Sequence, residues 1–477
     1  MISRRFTLAD QIKFANFSGD FNPIHVDLVA SRRLIYGQPV VHGVNAMLWA
    51  LACFASGHQR PITVQSLTCS FTKPLLLNEE VTVDIDASAI CKTIIRLRQG
   101  VQVVTKINLA FTLCEAGQPE EFQGAVTSDS PFGTQPDLVT EEDLPRLTGE
   151  FCMAFNTEKA IDLYGPQLLA VFGSQSVAEM TALTKVVGMH APGLNSLFTE
   201  IKLKPARAVH QACQLRYKTQ EYDQRFHQLV VSCNSRTFDS TLKAFYRPPA
   251  ISQAAYSVLK QAVSETEFAS QRALVIGGSR GLGEVTAKYL AAGGAQVLLT
   301  YSRGVGDANA IVQDISSHGG IAKTVLFDLT SPNQEVLAVM DSFEPTEIYY
   351  FATPFIFSGK KGIFAENRLK QFMDFYLLGF HRIIDHFSKR GVNRYFCPSS
   401  IALDENPAAM GEYCVAKAAM EAYCEWVVKN RPSIKIAYPR LPRLATDQTA
   451  SIATTDNADT ALMLKLLREF SSAKRNL

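Results

Sequence analysis

Two stretches in the first half of the chain repeat one order of elements, and this repeat limits the possible folds more than any other feature. The first stretch reads HGVNAMLWALACFASGHQRP followed by TVQSLTCSFTKPLL. The second reads FGSQSVAEMTALTKVVGMHAPG followed by LNSLFTEIKLKPAR. In each stretch a helix pattern leads to a Gly/Pro turn, a strand and a Lys-Pro stop, at Lys73-Pro74 and at Lys204-Pro205. This order indicates an internal duplication.

The first copy pairs one apolar helix, Asn45–Ala55, with a series of strands. The strands are rich in Val, Ile, Thr and Phe, and we predict them at Thr63–Phe71, Glu80–Ser88, Lys92–Leu97 and Gln102–Leu113. One long helix followed by several antiparallel strands predicts an α+β fold with the sheet wrapped around the helix. The second copy places its helix at Ser174–Val187 and a strand at Leu197–Leu203.

The pattern changes after a break at Pro248-Pro249. A polar segment, which we interpret as a linker over residues 251–269, precedes strand Ala273–Ile276, a Gly-rich turn, helix Glu284–Ala292 and strand Gln296–Thr300. Alternation of strands and helices predicts an α/β domain with a doubly wound parallel sheet from 270 to 477.

Composition excludes several classes of protein. The 477 residues are 47% hydrophobic and 19% charged, which excludes a disordered or fibrous chain. The net charge of +2 gives no electrostatic reason to bind nucleic acid or an anionic membrane, and the apolar run Ala46–Ala55 is too short to cross a bilayer. The N-terminus lacks an apolar signal region, and the 10 cysteines contain no C-x-x-C pair. We therefore expect a soluble, reduced, cytoplasmic protein with no metal centre.

A first candidate site lies in the C-terminal domain. IGGSRGLGE at Ile276–Glu284 joins a predicted strand to a predicted helix, where glycines allow the backbone to approach a pyrophosphate at the helix N-terminus. Tyr413 and Lys417 lie at i, i+4 on one helix face, and Ser400 ends a strand-like run before them. An adjacent cation would stabilise the Tyr413 phenolate. By itself such a pair is more often a solvated surface, but the Gly-rich turn favours catalysis.

These residues resemble those of the short-chain dehydrogenases/reductases. The resemblance implies that Ser400 orients a substrate carbonyl, Tyr413 protonates it as hydride arrives, and Lys417 lowers the pKa of Tyr413. It also implies a set of cofactor-binding residues: Gly277, Ser279, Arg280, Gly281, Leu282, Gly283, Arg303, Asp328 and Lys417.

The second strand ends in Thr300-Tyr-Ser-Arg303 with no carboxylate, and Arg280 lies in the Gly-rich turn, so we expect NADPH rather than NADH. The sequence departs from the family at Tyr350–Thr353, where the family has Asn-Asn-Ala-Gly, and at Tyr376, where it has a catalytic Asn. The family's last strand is not evident either.

A second candidate site lies near the N-terminus. Asp20 and His25 flank a turn shaped by Asn22 and Pro23, and a His beside a carboxylate can move a proton at neutral pH. Alternatively, Asp20 and Asn22 are only turn formers and helix caps, and His25 is a surface residue. His42-Gly43 before the apolar helix favours catalysis, because N–H groups at a helix N-terminus could stabilise an enolate oxygen.

This pattern resembles the MaoC-like, (R)-specific enoyl-thioester hydratases, which have the hot-dog fold. The match covers Asp20, Asn22, Pro23, His25, Gly37, His42 and Gly43. The second copy has GPQLLAVFG where the acidic motif should stand, so the resemblance implies a non-catalytic half that completes a double hot-dog. We expect His190 to have a structural role at the helix end.

The predicted domains are residues 1–125 (catalytic hot-dog), 126–250 (degenerate hot-dog), 251–269 (linker) and 270–477 (reductase). Together they imply reduction of a 3-oxoacyl thioester and dehydration of the 3-hydroxyacyl product, on acyl carrier protein or CoA, in fatty-acid-like or polyketide assembly. The chain could act as a homodimer. Three alternatives stay open: NAD-dependent β-oxidation in the opposite direction, a dehydratase with a non-reducing nucleotide-binding scaffold, and thioester hydrolysis.

Overall fold

The computed structural model describes residues 2–114, 120–124, 134–208, 211, 213–247, 249–359, 361–449 and 459–472. The chain divides into two compact units, one made of most of residues 1–249 and the other of most of residues 250–477. The predicted boundary at residues 125 and 126 and Pro248 of the Pro-Pro break lie outside the described residues.

The first unit is built on a ten-stranded antiparallel sheet in the order β1-β3-β4-β5-β2-β7-β10-β9-β8-β6. Its strands are β1 (Ile2–Arg5), β2 (Ile62–Phe71), β3 (Glu80–Ala89), β4 (Lys92–Gln99), β5 (Gln102–Leu113), β6 (Thr148–Cys152), β7 (Ser196–Pro205), β8 (Gln214–Asp223), β9 (Gln228–Asn234) and β10 (Phe238–Tyr246). The strands predicted from β-branched and aromatic residues are present, at bounds close to those expected.

The helices of the first unit contribute to its hydrophobic core together with the strands. They are α1 (Leu8–Ser18), α2 (Pro23–Val26), α3 (Gly43–Ala55), α4 (Thr157–Tyr164), α5 (Pro166–Phe172) and α6 (Ser174–Lys185). Helix α3 is apolar on every face and almost completely buried, and it packs against β3, β4 and α6. A helix that is hydrophobic all round belongs inside a core, so α3 fixes where the core of this unit lies.

The two halves of this sheet follow one plan. From its outer edge inward, the first half runs β1, β3, β4, β5, β2, and the second runs β6, β8, β9, β10, β7. In each half the innermost strand follows the long buried helix, α3 or α6. The halves meet where β2 pairs with β7, with Leu67 opposite Leu203 and Cys69 opposite Ile201, all four buried.

The second unit contains a six-stranded parallel sheet in the order β13-β12-β11-β14-β15-β17, and a short pair, β16 and β18. Its strands are β11 (Arg272–Ile276), β12 (Gln296–Tyr301), β13 (Ile321–Leu326), β14 (Glu347–Tyr350), β15 (Arg394–Phe396), β16 (Ser399–Ser400), β17 (Lys435–Ala437) and β18 (Arg440–Leu441). This order is that of the doubly wound Rossmann fold, as the alternating pattern predicts.

Helices cover the parallel sheet. They are α7 (Tyr256–Lys260), α8 (Gly281–Ala292), α9 (Val305–Ser316), α10 (Gln334–Ser342), α11 (Glu366–Met373), α12 (Phe380–Ser388), α13 (Ala402–Glu405), α14 (Gly411–Asn430) and α15 (Leu462–Ser472). Tyr256 and Phe268, from the segment interpreted as a linker, are buried in the core of this unit. After β18 the described residues contain α15 and no further strand of the sheet. Among the helices of the described ranges, none has the length and apolarity needed to cross a membrane.

The pairing of β2 with β7 gives a stability prediction. Leu67 is 0% exposed at this junction, so Leu67→Ala should lower the free energy of unfolding of the first unit by about 2–5 kcal/mol through the cavity it leaves. Urea unfolding followed by Trp49 fluorescence reports on this unit in a Trp426→Phe background, because the chain has only 2 tryptophans. Leu138→Ala, at a side chain 73% exposed, is the matched control and should change stability by less than about 0.5 kcal/mol. Equal losses of stability in Leu67→Ala and Leu138→Ala would contradict a buried junction between β2 and β7.

Candidate active sites

The turn between α1 and α2 presents the first set of candidate residues. Helix α1 ends at Gly19, whose φ of 75° lets the chain reverse direction where other residues would be strained. The side chain of Asn22 then caps α2 by accepting the N–H of Ile24 at 3.1 Å. These two caps fix Asp20 in the turn and His25 on α2. The helix cap that the alternative to catalysis expected at Asn22 is therefore present together with the Asp20–His25 pair.

Asp20 is only 1% exposed, and both halves of the first unit hold its carboxylate. Oδ1 accepts the backbone N–H of Asn22 at 3.1 Å, and Oδ2 accepts the hydroxyl of Thr184, on α6, at 2.7 Å. Gly188 leaves the space that the carboxylate fills, since a Cβ at this position would lie 2.3 Å from Oδ1. The second half thus supplies both a donor and room for Asp20.

Two imidazoles lie beside this carboxylate. The ring of His25 donates from Nδ1 to the carbonyl oxygen of Val40 at 2.8 Å; since a carbonyl only accepts, the neutral ring leaves Nε2 free to accept a proton. His42 stacks on His25 with ring centroids 3.9 Å apart. One polar side-chain atom from each of Asp20, His25 and His42 falls within 4.8 Å of the others. The turn and the start of α3 therefore form one cluster.

Burial sets the protonation of this cluster. Burial raises the pKa of Asp20, while the charge of His25 and the hydrogen bond from Thr184 oppose the rise. Burial also lowers the pKa of His25 and lowers that of His42 well below the usual value. The imidazoles are therefore neutral at neutral pH, and a neutral imidazole beside a carboxyl group is a suitable general base or acid.

A buried polar network fixes His42. Its Nδ1 lies 3.0 Å from Oε1 of Gln11, and its Nε2 lies 3.1 Å from the backbone oxygen of Asp20. Gln11 also accepts the backbone N–H of His42 at 3.0 Å. Gly43 is the first residue of α3 and directly follows His42, so its N–H belongs to the helix N-terminus, where backbone donors lack intrahelical partners.

Sequence reasoning missed three of these residues. Gln11, Thr184 and Gly188 lie in ordinary helical or apolar patterns, and no local spacing connects them to Asp20. His190, expected to be structural, ends the turn after α6 and pairs with Asp137 through a contact of 2.9 Å.

In the second unit, the glycine-rich turn lies between β11 and α8. Gly277 has a φ of 79°, and a Cβ on it would lie 2.8 Å from the backbone nitrogen of Ala352. A Cβ on Gly283 would lie 2.2 Å from the carbonyl oxygen of Gly277. Ser279 precedes α8, while Gly281 and Leu282 begin it. The glycines let the backbone of this turn pack closely against neighbouring backbone, and the turn leads to the N-terminus of α8. It therefore fits a dinucleotide phosphate.

The residues expected to select the cofactor lie on either side of this turn. Arg280 donates to the buried carboxylate of Asp447 at 2.8 Å. Arg303 is exposed after β12. The pKa of Asp328 is lowered by the hydrogen bond from Thr330 and also by the charge of Arg303, which shows that Arg303 and Asp328 are near each other. Arg303 is therefore an exposed guanidinium near Asp328, while Arg280 donates to Asp447.

Ser400, Tyr413 and Lys417 are brought together at the end of β16 and on α14. Burial raises the pKa of Tyr413 to about 12, and the group that opposes this rise is Ser400, through a hydrogen bond. The ammonium of Lys417 instead donates to the carbonyl oxygen of Pro398 at 2.7 Å. That Lys417 lowers the pKa of Tyr413 stays a prediction.

The two departures from the family pattern contact each other. The hydroxyl of Tyr376 is hydrogen-bonded to Oγ1 of Thr353 at 2.5 Å. The ring of Tyr376 lies edge-on to that of Tyr413, with centroids 5.6 Å apart, and the ammonium of Lys417 lies 4.2 Å from the Tyr376 centroid. A cation over an aromatic face is attracted to it, so Tyr376 helps to hold Lys417.

Sequence comparison matches both units to known families. A family model for the MaoC like domain matches residues 2–109, and one for the short chain dehydrogenase matches residues 271–345. The (R)-specific enoyl-CoA hydratase of Aeromonas caviae is 34% identical over 116 residues, which are 23% of this chain and 78% of that protein. A 3-oxoacyl-[acyl-carrier-protein] reductase of Synechocystis sp. is 34% identical over 86 residues, which are 17% of this chain and 35% of that protein.

Structural comparison returns short-chain dehydrogenases at low similarity. One from Burkholderia cenocepacia in complex with NADP has 22% identity and a TM-score of 0.39, over 43% of this chain and 91% of that one. A 3-oxoacyl (acyl-carrier-protein) reductase from Agrobacterium tumefaciens with NADP bound has 18% identity and a TM-score of 0.38, over 43% and 90%.

The buried carboxylate of Asp20 gives a prediction about stability and pH. Because burial raises its pKa in the folded state, the stability that Asp20 contributes is fully present below its unfolded pKa of about 3.9 and is lost as pH rises through the folded value. Asn does not titrate. Asp20→Asn should therefore gain stability relative to the parent as pH rises from 4 to 7, measured by urea unfolding with Trp49 fluorescence in the Trp426→Phe background.

The control is Asp162→Asn, since the side chain of Asp162 is 67% exposed. Its stability difference from the parent should not change with pH. If the stability of Asp20→Asn relative to the parent stays constant or falls between pH 4 and pH 7, the raised pKa of Asp20 is contradicted.

Proposed function

Because this chain belongs to the MaoC-like family through its N-terminal part and carries a short-chain dehydrogenase domain after it, we propose that it is a bifunctional enzyme of 3-hydroxyacyl thioesters. The second unit reduces a 3-oxoacyl thioester with NADPH. The first unit removes water from the (R)-3-hydroxyacyl product to give the trans-2-enoyl thioester. The two reactions are chemically consecutive, which supports their presence in one chain.

The observation that carries the dehydratase proposal is the pair formed by the buried Asp20 and the half-buried His25. One group takes the α-proton of the substrate while the other protonates the departing hydroxyl, and the free Nε2 of His25 can accept or return a proton. The N–H of Gly43, at the N-terminus of α3, stabilises the negative charge that develops on the thioester oxygen. A largely apolar surrounding strengthens both interactions, because it excludes water.

Ser400 and Tyr413 carry the reductase proposal. When bound, the nicotinamide supplies a hydride to the carbonyl carbon. Ser400 orients the carbonyl, and Tyr413 donates the proton that its oxygen requires. With a pKa of about 12, Tyr413 is fully protonated at neutral pH, which suits donation better than abstraction. Lys417 and the turn at Gly277 would hold the cofactor, with Asp328 beside its adenine.

The wider context is part of the same proposal. The first unit is a double hot-dog, an interpretation that the equal strand order of its two halves supports. The substrates are acyl thioesters of carrier protein or CoA, the two carriers that the names of the sequence relatives contain. The setting that we propose for them is fatty-acid-like or polyketide assembly. The domain limits stay at 1–125, 126–250, 251–269 and 270–477.

One alternative has a specific observation in its favour. Tyr376 and Thr353 replace family residues and contact each other, and the ring of Tyr376 lies 4.2 Å from the ammonium of Lys417. A second unit that binds NADPH without reducing any 3-oxoacyl thioester would be a scaffold, and the chain would then be a dehydratase alone. Binding of NADPH with no NADPH oxidation on any 3-oxoacyl thioester would favour this alternative.

Separate variants should abolish separate reactions. We expect Asp20→Asn and His25→Ala each to slow dehydration by about 10²–10⁴-fold, because each removes a group that moves a proton. Both should leave NADPH oxidation with a 3-oxoacyl thioester unchanged. Dehydration is followed by mass spectrometry of 3-hydroxyacyl thioesters.

Tyr413→Phe is the reciprocal control: it should lose reduction and keep dehydration and NADPH binding. Near-parent dehydration in both Asp20→Asn and His25→Ala would refute the first assignment, and a Phe variant that reduces at the parent rate would refute the second.

Cofactor preference should depend on Arg303. A charge-assisted hydrogen bond is worth about 1.5–3 kcal/mol, so loss of the Arg303 contact to a 2′-phosphate should weaken NADPH at least tenfold and change NADH little. The guanidinium of Arg280 already forms an ion pair with Asp447, so we expect Arg280→Ala to weaken NADPH binding less than loss of the Arg303 contact does. Titration of both nucleotides measures this, with Arg225→Ala on the surface of the first unit as control. Equal affinities of the parent for NADPH and NADH would overturn the preference and favour the oxidative alternative.

A further inference from the structure

Thr184 contacts the candidate dehydratase site from a part of the chain with no acidic motif of its own. It lies on α6, in the second half of the first unit, is 3% exposed, and donates its hydroxyl to Oδ2 of Asp20 at 2.7 Å. Serine and threonine within helices ordinarily bond back to their own backbone. Thr181, one turn earlier, does so by donating to the carbonyl oxygen of Val177 at 2.7 Å. Thr184 differs from Thr181 because its hydroxyl bonds a side chain outside its own helix.

The backbone after Thr184 is shaped to receive Asp20. Helix α6 continues into a wider π-helical turn, Val186–His190, a distortion that often marks functional sites. Gly188 in this turn leaves the space for the carboxylate. The side chain of Asn22 donates to the carbonyl oxygens of Gly188 and Gly193 at 2.9 and 3.1 Å, which anchors the Asp20 turn to the same place.

The two donors leave the carboxylate little freedom. Asn22 N–H holds Oδ1 and Thr184 holds Oδ2, so rotation of the carboxylate would break both hydrogen bonds. The charged and titratable groups that face Asp20 are His25 from α2, His42 before α3, and His190 at the end of the π-helical turn. Arg247, from the segment after β10, acts on His25. Among these neighbours, Thr184 is a neutral donor, which orients Asp20 without adding a charge.

We propose that Thr184 is a positioning residue that orients the Asp20 carboxylate for proton transfer with His25. The second half of the first unit thus takes part in dehydration although it has GPQLLAVFG where the acidic motif of the first half should stand. This inference rests on the proposed dehydratase function. Its physical basis is that a hydrogen bond to a carboxylate favours the ionised form and fixes its lone pairs.

The test uses the full chain with the substitutions Thr184→Val, Thr184→Ser and Thr181→Val. Val removes the hydroxyl and keeps the shape, so kcat of dehydration should fall by about ten- to a hundredfold with KM within about twofold. The limb of the pH profile that belongs to Asp20 should move to higher pH by about one unit, because a hydrogen bond that favours the charged form is lost. Thr184→Ser should recover most of kcat and the parent profile.

Thr181→Val is the matched control, since Thr181 is also buried on α6 but bonds only its own helix. It should keep the parent kcat and pH profile. If Thr184→Val fails to fold, judged by loss of dehydration in a chain whose far-UV signal also falls, Thr184→Ala replaces it with the same expectations.

A Thr184→Val enzyme with the parent kcat and pH profile would overturn the inference, and so would equal losses in Thr184→Val and Thr181→Val with no shift of the profile. A parent enzyme that dehydrates no 3-hydroxyacyl thioester would instead refute the proposed function.

Discussion

A carboxylate buried in an apolar core must be given donors and space, and this requirement at Asp20 organises the first unit. Charged groups are costly to remove from water unless hydrogen bonds replace the lost solvation. The donors come from Asn22 in the first half and Thr184 in the second, and the space comes from Gly188. Neither half alone supplies this environment. The continuous sheet through β2 and β7 is therefore needed for the site as well as for stability, because it holds α3 and α6 against each other.

The second unit combines a candidate cofactor cradle, the glycine-rich turn, with a candidate catalytic centre that departs from the family pattern. Gly277 and Gly283 make the close backbone approaches that a dinucleotide site requires. Beyond that cradle, Tyr376 fills space beside Tyr413 and attracts Lys417 to its ring. Burial raises the pKa of Tyr413 to about 12, so the phenol is protonated at neutral pH. The same geometry is compatible with a reductase or with a nucleotide-binding scaffold, and turnover distinguishes them.

Sequence patterns predicted the elements better than they predicted the contacts within the sites. The parallel sheet and the strands after the first apolar helix were predicted from local periodicity, which is governed by which face of each element is buried. The lowering of the Tyr413 pKa by Lys417 was inferred from their spacing on α14, and the structure directs the ammonium elsewhere. Spacing on one helix gives proximity along the chain, while the direction of a side chain depends on what packs beside it.

The sequence by itself determined the two kinds of fold, the glycine-rich turn, and the pairing of Asp20 with His25, because each of these depends on residues close together in the chain. Only the tertiary structure decided that Thr184 and Gly188 surround Asp20, that Asp447 pairs with Arg280, and that Tyr376 meets Thr353. These contacts join distant segments. They follow from how sheets and helices pack, and no periodicity or motif along the chain encodes them.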